Sequence, residues 1–211
     1  MATTYETIAG RSIERLAALS DGVFAIAMTL LVLDLRVPAG AAIHGEHALF
    51  SSVFVALAPR LVPYVLSFMT LGIFWIAQQA QLDAFARSDR TLTWINLGFL
   101  LAVTIMPFTT GVLAEFITFR LAVVAYWLNL VLLGATLWAS GRYGWGAGLT
   151  KEQVTSAPRV AHERRIVAYQ VLYAIAAALC VVSTYLSIAL FVLLQLNSML
   201  GLRFPRLRGS A

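Results

Sequence analysis

The sequence predicts an all-α integral membrane protein with six transmembrane helices in each subunit. Of its 211 residues, 60% are hydrophobic and only 12% are charged, whereas soluble domains have roughly 45–50% apolar and about 25% charged residues. The apolar residues also form long blocks that are separated by short polar breaks. A soluble core of this length could not hide so much apolar surface, so lipid must cover part of it. We therefore expect one membrane domain that occupies residues 1–211.

The apolar blocks divide into six predicted spans, and a bilayer requires roughly 20 residues for each helix that crosses it. The second block is longer and contains Pro59 and Pro63, which predicts a span that is kinked, tilted or protruding. The last apolar run is too long for one span, and we divide it near Ser183 and Thr184. The stretch Gln78–Arg90 is polar, and Gly141–Arg165 is predicted to be a solvated loop. The predicted spans cover about residues 19–37, 49–77, 92–113, 121–139, 166–182 and 185–202.

Basic residues support this count. With six spans, both termini and the loops after the second and fourth spans share one side, which collects 12 of the 15 basic residues. The other side has only Arg36 and Arg120, and Arg60 lies inside the second block. Because basic loops stay in the cytoplasm, we expect a multi-pass protein of the plasma (inner) membrane with both termini cytoplasmic. The same pattern explains the net charge of +5 without nucleic acid as a partner.

The first span contains the most informative residues. At about 100° per residue, Leu19, Gly22, Ile26, Leu30 and Leu33 form one narrow stripe, with Thr29 beside it. In a membrane helix such a stripe is typical of packing as well as of a pore.

Asp21 points away from the stripe and toward a neighbouring helix. An ionisable group in a span is a functional candidate, but with Ser20 it could equally cap the start of the helix. Asp34, at the far end of the span, could concentrate cations or simply lie at the membrane interface.

Arg15, Ser20 and Asp21 lie in the register of an Arg-x-x-x-Phe-Ser-Asp motif, although Leu19 replaces the Phe. With the segment Gly22–Leu33 that follows, this string resembles the signature of the transmembrane-protein-175 family of potassium channels, in its bacterial form with a single six-helix repeat. The similarity extends to Trp75, to Asn96 and to Pro107-Phe108, but only the first helix is specific.

The resemblance implies a homotetramer in which the first helices line one central pore. The narrowest rings of the pore would be Ile26, Leu30 and Leu33, with a hydroxyl layer at Thr29. Potassium would be held transiently near Thr29 and Ile26, and the resemblance implies no cofactor and no fixed structural metal.

The motif residues Arg15, Ser20 and Asp21 would join a polar network behind the pore helix. Trp75, Gln78, Gln79 and Asn96 are its possible partners. Much of the family has one or two His after the Trp, and an amide cannot titrate near neutral pH. The two glutamines therefore leave pH sensing through this network in doubt.

We therefore predict an oligomeric, potassium-permeable cation channel with a hydrophobic constriction on the first helix, embedded in the lipid bilayer and conducting monovalent cations. One alternative is a proton-permeable or proton-coupled transporter that uses Asp21 as a carrier. Another is a structural membrane protein without transport, in which the stripe packs solid. The sequence shows no nucleophile–base pair and no metal-ligand set, so we do not expect an enzyme.

Overall fold

The computed structural model describes residues 13–35, 45–50, 55–151 and 156–200. Within them, six long helices carry nearly all of the regular structure. A 3₁₀ turn, Leu31–Asp34, extends the first helix, a one-turn helix, Glu46–Leu49, precedes the second, and a further 3₁₀ turn, Leu179–Val181, extends the fifth. The six helices are α1 Ile13–Leu30, α2 Ala56–Asp83, α3 Arg90–Glu115, α4 Arg120–Gly146, α5 Ser156–Ala178 and α6 Thr184–Leu200.

Five of the described helices are long and apolar enough to cross a membrane. They are α1 with its extension, α2, α3, α4, and α5 with its own extension. Helix α6 is also apolar but has 17 residues. It begins at Thr184, where the sequence placed the division of the last apolar run. Parts of three predicted spans lie outside the described residues, namely positions 36–37, 51–54 and 201–202.

The predicted polar stretches are shorter than expected, because the helices continue beyond the apolar blocks. Helix α2 runs through Pro59 and Pro63 and ends only at Asp83. The predicted loop Gly141–Arg165 was wrong at both ends, since α4 extends to Gly146 and α5 begins at Ser156. At about 1.5 Å per residue these helices exceed a hydrocarbon core of about 30 Å. Polarity therefore marks where lipid ends and not where the helix ends.

The connections after α2 and after α4 meet at one end of the bundle. The Ala86 amide donates to the Leu149 carbonyl at 2.8 Å, and the Lys151 amide donates to the Ala84 carbonyl at 3.0 Å. The Tyr143 hydroxyl donates to Asp89 at 2.6 Å. These two connections therefore lie on the same side, as the alternation of spans requires.

Helix α1 lies at an edge of the bundle. It packs on α2 and α3, whereas α3 also packs on α4, and α6 packs on α2, α4 and α5. The common core is made of apolar side chains from all six helices, among them Phe24, Phe99, Tyr126 and Phe191. Because α1 has neighbours on one side only, its opposite side faces out of the subunit.

Candidate functional site

Helix α1 has a buried face that attaches it to the bundle. The side chains on this face are at most 6% exposed and recur every three or four residues: Leu16, Ser20, Phe24, Ala27 and Leu31. The ring of Phe24 packs against that of Phe99 on α3, with centroids 5.9 Å apart. This spacing of 3.6 residues per turn fixes which side of α1 points outward.

The outward side contains the predicted aliphatic stripe. Leu19, Ile26, Leu30 and Leu33 are 48%, 61%, 42% and 64% exposed in the single subunit, and Gly22 and Thr29 are exposed as well. Side chains this apolar must be covered by lipid or by another subunit. The structure thus brings Ile26, Thr29, Leu30 and Leu33 together on one free face.

Thr29 combines this exposure with a defined hydroxyl geometry. Its Oγ1 donates to the backbone carbonyl of Ile26 at 2.8 Å. Because the hydroxyl hydrogen is engaged in this bond, the oxygen lone pairs remain available as acceptors. A hydroxyl in this state can coordinate a cation.

Behind the stripe, three buried side chains from three helices form a polar triad. Gln78 of α2 donates through Nε2 to Ser20 Oγ at 3.0 Å and to Asn96 Oδ1 of α3 at 2.8 Å. Asn96 Nδ2 also donates to Ser20 Oγ at 3.3 Å. All three residues are at most 1% exposed, so the triad joins α1 to α2 and α3 from inside the subunit.

Asp21 forms a second, exposed group with two donors from α2. Trp75 Nε1 donates to Asp21 Oδ1 at 2.7 Å, and Gln79 Nε2 donates to the same oxygen. The interpretation of Asp21 as a helix cap was wrong, because the described part of α1 begins eight residues earlier, at Ile13. Its carboxylate instead links the middle of α1 to α2.

Arg15 and Asp34 mark the two ends of α1. Arg15 is exposed, six residues before Asp21. Asp34 is half-buried, and its carboxylate lies against α3, where a Cβ on Gly111 would come within 3.1 Å of both carboxylate oxygens. Asp34 is thus turned toward α3, which favours its interpretation as an interfacial residue.

The structure also contains a buried hydroxyl cluster that the sequence analysis missed. Thr110 donates to Ser67 at 2.7 Å, Ser67 donates to the Tyr126 hydroxyl at 3.3 Å, and Gln195 donates to Thr70 at 2.6 Å. Thr70 and Tyr126 hydroxyls are 3.2 Å apart. Ser67 and Thr70 are three residues apart on α2, and this spacing was the available signal.

Comparison with known proteins bears on these helices. Residues 15–107, which include α1, α2 and most of α3, match the family described as the endosomal/lysosomal potassium channel TMEM175. "Potassium channel B446_29190" of Streptomyces collinus is 41% identical over 49% of this chain and 48% of its own length. "Potassium channel Cha6605_3372" of Chamaesiphon minutus is 30% identical over 82% of this chain and 87% of its own.

The fold resembles a solved structure as well. The crystal structure of "a lysosomal potassium-selective channel TMEM175 homolog from Chamaesiphon Minutus" superposes with a TM-score of 0.78 at 26% identity. The superposition covers 90% of this chain and 97% of that one. The similarity in fold therefore extends well beyond the first helix.

Proposed function

The chain belongs to the TMEM175 family of potassium channels, and we propose that it is a potassium-permeable channel whose pore is lined by α1. The observation that carries the proposal is the free aliphatic face of α1, with Ile26 and Leu33 more than half exposed on a helix whose other side is anchored by buried residues. A helix with one free apolar face at the edge of a subunit is suited to meet copies of itself.

Oligomerisation completes the proposed pore. We propose a homotetramer of six-span subunits in the plasma (inner) membrane, with both termini in the cytoplasm. The exposed apolar face of α1 and the nearby exposed Trp75 of α2 supply surface for subunit contacts. The charge distribution along the sequence supports the orientation.

The rings of Ile26, Leu30 and Leu33 would then form the constriction. Aliphatic side chains offer a cation no ligand, and a narrow apolar ring excludes water, so the constriction gates by dewetting. An opening motion of α1 would let a hydrated or partly hydrated cation pass. The Thr29 oxygens, whose lone pairs are free, would replace part of the lost hydration, so that potassium rests transiently near Thr29 and Ile26. Since these hydroxyls do not enclose the ion, selectivity for K⁺ over Na⁺ is modest.

The test is ion flux in liposomes that contain the purified protein. A potassium gradient should drive K⁺ through the protein, and a protonophore then lets protons cross in the opposite direction to balance the charge. A pH-sensitive dye reports this proton movement. A sodium gradient of the same size should give a smaller signal, and empty liposomes none. Absence of potassium flux would contradict the proposal.

Asp21→Asn separates this function from proton transport. The asparagine Oδ1 still accepts hydrogen bonds from Trp75 and Gln79, so a potassium channel should keep its flux, with weaker assembly or altered gating. A proton carrier would lose all transport, because an amide cannot bind and release a proton at this position. Proton flux in the absence of the protonophore, measured for both forms, completes the comparison.

A further inference from the structure

A groove lies between α2 and α5. Helix α5 packs on α4 and α6, and α2 packs on α1, α3 and α6. The space left between α2 and α5 has a volume of about 560 Å³. Small-molecule sites in proteins have volumes of about 300–1,000 Å³, so the groove is large enough for a ligand.

The groove is apolar along most of its length and polar at one end. Its walls include Phe68 and Ile73 of α2 and the buried Tyr173 of α5. His162 and Arg165 lie at the polar end, near the start of α5. The Arg165 guanidinium lies 5.8 Å from the centroid of the Tyr169 ring, which holds the positive charge over the groove wall.

The length and the open side of the groove identify its occupant. From His162 to Tyr173, α5 rises about 16 Å at about 1.5 Å per residue. This is close to half of a hydrocarbon core of about 30 Å, so the groove spans one leaflet. Phe68, Ile76 and Met199 on its rim are 45%, 62% and 69% exposed, so the groove opens sideways, out of the subunit.

We propose that this groove binds one anionic phospholipid taken from the surrounding leaflet. One acyl chain lies along Ile73 and Tyr173, and the phosphate lies at Arg165. The positive charge and the apolar wall are complementary to the two ends of such a lipid. This site is distinct from the α1 face and does not depend on the proposed channel function.

Native mass spectrometry of the purified protein in detergent tests the site. Dioleoyl-phosphatidylglycerol is compared with dioleoyl-phosphatidylcholine, which has the same chains and no net charge. We expect one phosphatidylglycerol retained per chain at collision energies that remove phosphatidylcholine. Arg165→Gln should weaken this retention about fivefold, the effect of one basic residue near a lipid surface. Ala80→Phe, which fills the polar end of the groove from α2, should reduce it independently.

Two matched variants serve as controls. Arg164→Gln removes a charge from the adjacent, exposed position outside the groove, and Ala168→Phe adds the same ring on the exposed outer face of α5. Both should retain phosphatidylglycerol as the parent does. Equal retention of the two lipids, an equal loss in Arg164→Gln and Arg165→Gln, or unchanged binding in Ala80→Phe would overturn the proposal. Retention of oleate without phosphatidylglycerol would overturn it as well.

Discussion

Ser20 shows how a single small side chain can attach a helix to its neighbours. Its hydroxyl donates to the Leu16 carbonyl at 2.8 Å within α1, and its lone pairs accept from Gln78 and Asn96. The side chain is fully buried, so no water or lipid head group can replace these bonds. Ser20 thus connects the buried face of α1 to both neighbouring helices.

Ser20→Ala should therefore destabilise the protein by about 1 kcal/mol. Interhelical hydrogen bonds in membranes contribute on average about 0.6 kcal/mol. The variant also removes the acceptor of the Gln78 and Asn96 amides, which leaves one N–H of each unpaired. Thermal unfolding in detergent, followed by circular dichroism, measures the change. The control Ser198→Ala removes a hydroxyl from a partly exposed position on α6 and should leave the melting temperature unchanged. If the two variants melt alike, the triad contributes little to stability.

The polar triad and the group around Asp21 show which contacts between residues could be predicted from the sequence. The resemblance placed seven residues in a polar network: Arg15, Ser20, Asp21, Trp75, Gln78, Gln79 and Asn96. The structure brings the last six into two adjacent hydrogen-bonded groups. The cluster around Ser67 and Tyr126 could not be predicted in the same way. Its members come from four helices, and a lone hydroxyl in an apolar span does not indicate which residue it will meet.

At the scale of a whole helix, the two faces of α1 differ in burial. Apolar residues alone could not distinguish them, because leucines and isoleucines appear on both. The structure distinguishes them by burial, with Leu31 fully buried and Leu33 64% exposed only two residues later. Phe24, which lies off the stripe, is 2% exposed and is part of the core, so it cannot serve as an exposed control.

Ile26→Asn and Leu30→Ser test whether the exposed face is a hydrophobic gate. A polar ring holds water that an aliphatic ring excludes, so each variant should raise potassium flux into liposomes several-fold. Leu193→Ser on α6, at a position 61% exposed, is the matched control and should leave flux unchanged. If the α1 variants lose flux or fail to assemble while Leu193→Ser behaves as the parent does, the stripe is packing and the pore lies elsewhere.

Packing at the end of α4 explains why this helix is longer than the sequence predicted. Three glycines between positions 141 and 146 suggested a loop, since glycine disfavours helix. Tertiary packing overrides this preference: the ring of Phe85 occupies the space where a side chain on Gly144 would be, and Trp145 meets the same ring edge-on at 5.8 Å. The glycine is required by this close approach.

Gly144→Ala should therefore be destabilising. The added Cβ would lie 2.4 Å from Phe85 Cζ, and Phe85 is itself buried, so overpacking should cost about 1–3 kcal/mol. Gly146→Ala adds the same methyl group two residues later, where nothing lies within 4 Å, and should melt at or above the parent temperature. Equal melting temperatures for the two variants would show that Phe85 moves away without cost.

At the scale of the whole molecule, the six-helix arrangement follows from length, hydropathy and charge. The arrangement of subunits does not, because a single chain indicates its symmetry axis only through the apolar faces that it leaves exposed. Helix α1 leaves the aliphatic stripe uncovered, and other parts of the described surface leave similar residues uncovered, including Leu121 and Val182, both 78% exposed. Exposure alone therefore does not separate an axis from a lipid-facing surface, and a measurement of proximity between copies is needed.

Disulfide cross-linking provides this measurement. The only native cysteine, Cys180, is buried, so a Cys180→Ser background leaves one engineered thiol per chain. If the α1 helices surround the axis, Leu33→Cys places thiols from different subunits near one another. A disulfide requires Cα atoms within about 7 Å, and small motions of the helices bring the thiols to this distance during oxidation. Membranes treated with a mild oxidant should then yield covalent dimers on a non-reducing gel. Leu193→Cys, equally exposed but on α6, should remain monomeric. Dimers from Leu193→Cys and none from Leu33→Cys would move the axis to the opposite side of the subunit and remove α1 from the pore.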